Sequence, residues 1–547
     1  MAFKTISRLT AILCIICCVS CSRKKADLIV YNAKIYTIDS TFSRVSAMAI
    51  KDGKIVETGS DDAIFGQFDA PDLLDAGGKF LYPGFIDAHC HFFNYGLGLQ
   101  TADLTGTTSW EAILDTMKAF AVRHPDGWLI GRGWDQNDWA VQAFPNNDVL
   151  NTLFPDRPVL LTRIDGHAAI ANAKALSLAG VQPGMTLTGG EVHTDRNRLT
   201  GLLVDNAVDL VYAKIPAPGP ADVEHALLDA QQNCFAVGLT TVDDCGLDAR
   251  VVSFIDSMQT TGKLSMRVYA MLSDAPANYE FARKKGKIKT DRLSVRAFKV
   301  YADGALGSRG ACLLAPYADQ TGHYGFLLSD PKHFDSVANE LAALDFQMCT
   351  HAIGDSGNRT ILNTYLRRLE GKNDKRWRIE HAQVIAPEDF AKFGAASIVP
   401  SVQPTHATSD MYWAGKRLGP ERVKGAYAYK QLLQQNGWIP LGTDFPVEDI
   451  SPFKTFYAAV VRKDAAGKPD SGFQMENALS REAALRGMTI WAAKANFEEG
   501  EKGSLEKGKW ADFVLLDQDL LTVAPEKILQ TRVEATYVGG KKVHGAK

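Results

Sequence analysis

A (β/α)8 barrel carrying a small β-sandwich made from both termini is the fold class that this 547-residue α/β chain predicts. Three observations predict it. Eight short β-type runs between residues 85 and 447 end in polar loops, and helical patterns separate most of them. Several runs are continuously apolar rather than alternating, as strands buried on both faces are. Residues able to hold a metal or move a proton keep falling at the ends of these runs, in chain order, which is how such a barrel builds a site from the C-terminal ends of its strands.

The first run, Phe85–His91, closes Pro83-Gly84-Phe85-Ile86-Asp87-Ala88-His89-Cys90-His91. Strand side chains alternate faces, so His89 and His91 point the same way, about 6–7 Å apart, with Cys90 on the other face. Two imidazoles so placed can hold one metal ion, although a lone His-x-His among 12 histidines would prove little. The runs that follow are Leu239–Asp244, Met266–Leu272, Ser294–Ala302, Gln347–His351, Trp377–His381, Ile398–Gln403 and Trp438–Asp444. His351, His381 and Asp444 close three of them. Between runs, Asp222–Val237 sets Val223, Leu227, Ala230, Cys234 and Val237 on one helical stripe ahead of a terminating Gly238.

One interval is too long for a plain barrel. From Phe92 to Gly238 there are 147 residues, where one loop and helix need a few dozen, and a structureless loop of that length is improbable. The interval contains the apolar stretches Trp128–Trp134 and Val159–Arg163 and the turn Gly189-Gly190-Glu191, which predicts an inserted subdomain at about residues 100–220 over the barrel mouth. Short strands around a turn at Asp27–Tyr36 and Ala47–Val56, and again at Ala511–Asp517 and Ala535–Lys541, predict the small β-sandwich. The expected division is therefore 26–80 with 500–547 for the sandwich and 81–499 for the barrel.

Composition is that of an ordinary globular protein, 46% hydrophobic and 22% charged with net charge −3. No Lys/Arg run exceeds Arg23-Lys24-Lys25, so nucleic acid is not an expected partner. The N-terminus reads separately. Lys4 and Arg8 precede the apolar run Leu9–Val19, too short to span a membrane but suited to a signal-peptide core. Ser20 then precedes Cys21, a pattern that resembles a bacterial lipoprotein signal, with Cys18 where a leucine is usual. It implies cleavage after residue 20, lipidation of Cys21, and a place in the cell envelope, anchored outside the cytoplasm; the other reading is a buried N-terminal helix. Cys90, Cys234, Cys245, Cys312 and Cys349 are scattered and odd in number, which predicts packed free thiols rather than a disulfide framework.

These motifs in this order resemble the metal-dependent amidohydrolase superfamily from about Asp27 to the C-terminus. They resemble more narrowly the amidohydrolase 3 branch that contains N-substituted formamide deformylase. The narrower likeness rests on Arg163-Ile164-Asp165-Gly166-His167, on Lys299 to Arg309 and on Arg378-Ile379-Glu380-His381-Ala382-Gln383. The resemblance implies that His89 and His91 bind one metal and His351 and His381 another. It implies that Lys299, carboxylated by carbon dioxide, bridges the two, and that Asp444 is both ligand and proton shuttle. One or two divalent ions follow, with zinc or a similar first-row ion suited to imidazole and carboxylate. The implied reaction is hydrolysis of a non-peptide carbon–nitrogen bond in a small molecule.

Other readings stand beside these. Lys299 could be ion-paired to Asp303 or another acid. His167 could touch substrate or only shape a turn. Trp134, Asp135 and Trp139 could line a lid, but ordinary aromatic packing is favoured. His406, just past the seventh run, could line the pocket, with no role assigned. The chain departs from the branch in having Asp205 where Glu is frequent and Asp243-Asp244 where His or Gln is frequent, and both could alter substrate choice. A heterocycle deaminase on the same scaffold and a non-catalytic barrel are the competing functions, and a homo-oligomer stays open.

Overall fold

The computed structural model describes residues 23–546. The signal peptide read over residues 1–20 and the lipidation read at Cys21 lie outside the described residues.

Seven parallel strands follow one another around the barrel wall in chain order. They are β1 (Phe85–Cys90), β2 (Leu239–Leu247), β3 (Arg267–Ser273), β4 (Leu293–Tyr301), β5 (Gln347–Ala352), β6 (Arg378–His381) and β7 (Val399–Ser401). The eighth run, Trp438–Asp444, forms no regular strand. Pro440 offers no N–H to a ladder, and Gly442 sits where a Cβ would come within 2.5 Å of the His89 backbone nitrogen. The run still closes the ring. Leu441 pairs with Val402 in a parallel bridge, Gly442 N–H donates to Val402 at 3.0 Å, and on the other side Asp444 N–H donates to the His89 carbonyl at 2.7 Å.

Alternation along the strands divides the core in two. Val268, Ala270 and Leu272 of β3 face the surrounding helices, while Tyr269 and Met271 meet Cys245, Ala297 and Cys349 inside the barrel. The helices start where sequence chemistry starts them: Pro331 occupies the first turn of Pro331–Leu344, and the Asp330 carboxylate accepts from Lys332 N–H. Deep in the barrel, Arg378 donates to Asp243 at 3.0 Å and Asn496 donates to the same carboxylate at 2.6 Å. Both charges are fully buried, so removing one partner would strand the other at a cost of about 3–5 kcal/mol. Asp244 accepts from Phe93 N–H at 2.9 Å. Asp243 and Asp244 thus tie strands and loops together from buried positions.

Between β1 and β2 the chain builds a six-stranded sheet from Ala102 to Asp205. Its two faces alternate as the pleat requires: Leu161, Ile170 and Leu202 join one core, and Leu160, Ala171 and Leu203 the other. Trp134 and Trp139 are buried in the first of these cores, their indoles donating to Leu161 and Thr107 carbonyls at 2.8 and 3.0 Å. They pack rather than line a lid. The termini supply a four-stranded sheet (residues 28–75) and a six-stranded sheet that joins Lys34–Tyr36, Arg44–Val45 and Phe80–Pro83 to three C-terminal strands. Phe513 and Leu515 face the core between these sheets, whereas Val514 and Leu516 face the barrel. All five cysteines of the described residues are free.

Candidate metal centre

His89 is the last-but-one residue of β1, and His91 caps the helix Phe92–Gly98 that follows. Their rings lie 5.8 Å apart between centroids, and both Nε2 atoms face one oxygen, Asp444 Oδ1, at 3.5 and 3.2 Å. Cys90 turns away, donating its thiol to the Asp243 carbonyl at 3.3 Å. Lys299 lies on the inward face of β4, two residues beyond Ala297, and its Nζ is 3.0 Å from His89 Nε2. It forms no ion pair among the described residues. Asp303, the acid most available to it in sequence, instead accepts from the backbone N–H groups of Cys312, Ile353 and Gly354 at 2.8–2.9 Å. That structure excludes a Lys299–Asp303 pair.

His351 ends the inward face of β5, and its ring is 4.6 Å from that of His381. His381 reaches the centre by a backbone exception. On β6, Ile379 faces the helices and Glu380 faces inward, so strict alternation would turn His381 outward. A left-handed backbone at His381 (φ 71°) turns it back, and its ring comes within 4.7 Å of His89. Asp444 (φ 64°) and Asp205 (φ 50°) also have a positive φ, which costs a non-glycine residue about 1–3 kcal/mol and clusters where a site demands it.

Two histidines of the inner cluster, His89 and His381, have their Nδ1 atoms held by acceptors. Glu380 Oε2 lies 2.5 Å from His89 Nδ1, and Gln403 Oε1 lies 2.7 Å from His381 Nδ1. His351 Nε2, Asp444 Oδ1 and His406 Nε2 are buried and find no hydrogen-bond partner. Orienting acceptors behind imidazoles whose other nitrogens converge are what metal ligands need, and orphaned buried donors and acceptors are costly unless something fills the gap. Electrostatics agree. Burial, then the Lys299 charge, pushes His89 down to about 4, and burial holds His351 and His381 well below the ordinary value. All three are neutral at neutral pH, as ligands must be. Burial opposes ionisation of Asp444, but the imidazoles of His89, His91 and His381 around it outweigh burial and keep its carboxyl well below the usual range.

The inserted subdomain delivers His167 to the rim. Asp205 lies 2.6 Å from its Nδ1, and the His167 ring lies tilted by 42° against that of His351 at 5.0 Å. Burial disfavours a charge on this imidazole, yet the Asp205 carboxylate more than offsets it and raises the pKa. Asp205, the residue that departs from the branch, is therefore the partner of His167. Glu380 and Gln403 were not singled out from sequence, and Asp303 was read only as a partner for Lys299. Glu380 meets His89 at a sequence separation of 291, and no local spacing announces such a contact; its one signal was adjacency to His381.

The family designated Amidohydro_3, described as the amidohydrolase family, matches residues 72–544. The chain is 33% identical over 541 residues to Protein LONG AFTER FAR-RED 3 of Arabidopsis thaliana, covering 95% of this chain and 92% of that one. It is 27% identical to N-substituted formamide deformylase of Arthrobacter pascens, covering 94% and 97%. A crystal structure from Pyrococcus horikoshii OT3, described as an uncharacterized metal-dependent hydrolase, superposes with a TM-score of 0.75 at 26% identity, over 91% of this chain and 99% of that one.

Proposed function

The chain belongs to the amidohydrolase family, and from that premise we propose that it hydrolyses an amide-type, non-peptide carbon–nitrogen bond of a small molecule at a divalent metal centre. The observation that carries this reading is the convergence of His89, His91, His351, His381, Lys299 and Asp444 at the C-terminal ends of the strands, with orienting partners behind the histidines. Zinc or a similar first-row ion suits that donor set. A bound ion supplies Lewis acidity toward a carbonyl oxygen and lowers the pKa of water.

The chain's own groups account for the rest. Asp444, ionised and at the rim of the histidine cluster, takes the proton of the attacking water and returns it to the leaving nitrogen, so that amide and water become carboxylic acid and amine. Burial works against a charge on the Lys299 amine, but Tyr301, Cys245, Glu380 and Asp444 leave its pKa raised. Carboxylation, which needs the free base, would then be driven by cations that favour the resulting carboxylate. His167, held by Asp205 and near His351, would donate to a substrate on that side, a role its contacts support.

A hydrolysis screen across N-formyl, N-acyl and cyclic amides, with metal measured on the same sample, tests the reading. An acid and an amine as products, lost on chelation and restored by metal, are expected. Released ammonia from a heterocycle would instead make the protein a deaminase, and metal-free protein with no turnover on any amide would leave a non-catalytic barrel.

We further propose that Cys21 carries a lipid anchor to the cell envelope, from Ser20-Cys21 behind a short apolar core. A single acyl chain binds only marginally, so several are required. Cys21→Ala should abolish palmitate incorporation in the native bacterium, and unchanged labelling would refute the anchor.

A further inference from the structure

His406 is left over from the reading above, and its surroundings are those of a ligand. It lies in the short helix Pro404–Asp410 directly after β7 and is 8% exposed. Its Nε2 is buried without a hydrogen-bond partner and lies 3.6 Å from Asp444 Oδ2. Its ring stacks on that of His381 at 5.8 Å and 25°. One residue places both rings: Gln403 holds His381 Nδ1 with its side chain, and its carbonyl accepts from His406 N–H at 3.1 Å.

The spacing is informative because ligand atoms around one ion cannot be at arbitrary distances. Metal–ligand bonds of 2.0–2.2 Å in a tetrahedron set neighbouring ligand atoms roughly 3.3–3.6 Å apart. On the first oxygen of Asp444, His91 and His89 stand at 3.2 and 3.5 Å. On the second oxygen, His406 stands at 3.6 Å, and His381 stands farther off at 4.0 Å, through the Nδ1 that Gln403 holds. Ligand atoms of His381, His406 and Asp444 all lie within 4.8 Å of one another, as do those of His89, His91 and Asp444. His351, by contrast, has Asp303 Oδ1 as its near carboxylate oxygen, at 3.8 Å.

Resting on the reading that the centre holds divalent metal, we propose that His406 is a ligand in its own right. It forms with His381 a second position that shares the Asp444 carboxylate with the His89–His91 position. Asp444 then spans the two positions through its two oxygens, alongside Lys299.

The test uses the full-length protein, stripped of metal and titrated with cobalt(II), with metal per chain and the visible cobalt spectrum as readouts. Wild type, His406→Ala, His406→Gln and the exposed control His225→Ala are compared, with circular dichroism to confirm folding. The His406 variants are expected to lose one equivalent, or to bind an ion more weakly by over the ~10–100-fold that loss of a mere orienting partner costs, with a changed cobalt spectrum; His225→Ala should match wild type. Because glutamine fills most of the space, it serves if alanine misfolds. Unchanged stoichiometry, affinity and spectrum in a folded His406 variant would overturn the proposal alone. A wild-type protein that binds no divalent ion would overturn the metal reading beneath it as well.

Discussion

Asp444→Asn is expected to lower turnover by at least the ~10²–10⁴-fold typical of an acid–base residue, while the protein stays folded and keeps part of its metal. Asparagine is the sharpest replacement for a physical reason. Asp444 has φ 64°, a left-handed conformation that asparagine tolerates better than other non-glycine residues, so the backbone that closes the barrel survives. One ligating oxygen also remains. What disappears is the ionised carboxylate that the neighbouring histidines hold below the usual range. Steady-state rates with metal analysis on the same preparation decide it. Near-normal turnover would remove Asp444 from proton transfer.

Lys299→Ala should lose at least one metal ion and most activity, since two cations would be left without a shared negative ligand. Acetate or propionate in the space left by the side chain should restore part of the rate. The lysine is 1% exposed and forms no ion pair among the described residues, so the simple alternative of a salt bridge to Asp303 has no support in the contacts. A purely structural lysine would show lower stability, intact metal content and no rescue by small acids. Mass spectrometry of the native, metal-loaded protein should find one carbon dioxide added at Lys299; a fully loaded, active enzyme with a free amine would show that the carbamate is not used.

Much of this was legible in the sequence because period-two and period-3.6 patterns are strong in buried strands and their helices. Phe85–His91, Gln347–His351 and Trp377–His381 were bounded to within a residue by their apolar runs and the polar residues that end them. The run Trp438–Asp444 was read as a strand from its apolar content. Pro440 and Gly442 leave it only bridges, because one lacks a donor and the other exists to let β1 come close. In the site, residues of ligand type at strand ends could be picked out singly. Their orientation could not, because it depends on partners brought by the fold: Glu380 behind His89, Gln403 behind His381, Asp205 behind His167. The left-handed turn at His381 is likewise invisible to a pattern that assumes alternation.

The bond from Asp444 N–H to the His89 carbonyl, at 2.7 Å, joins the last wall segment to the first. The seam of the cylinder therefore runs through Asp444, the residue proposed to carry the proton, and its neighbour on β1. A slip of the closing segment by one residue would carry the carboxylate about 3.3 Å along the wall, out of reach of both histidines. A wrongly zipped molecule is consequently an inert one, and the active fraction of a preparation counts the correctly sealed cylinders. Refolding yield measured by activity should lag yield measured by helix content whenever the seam is the last part to form.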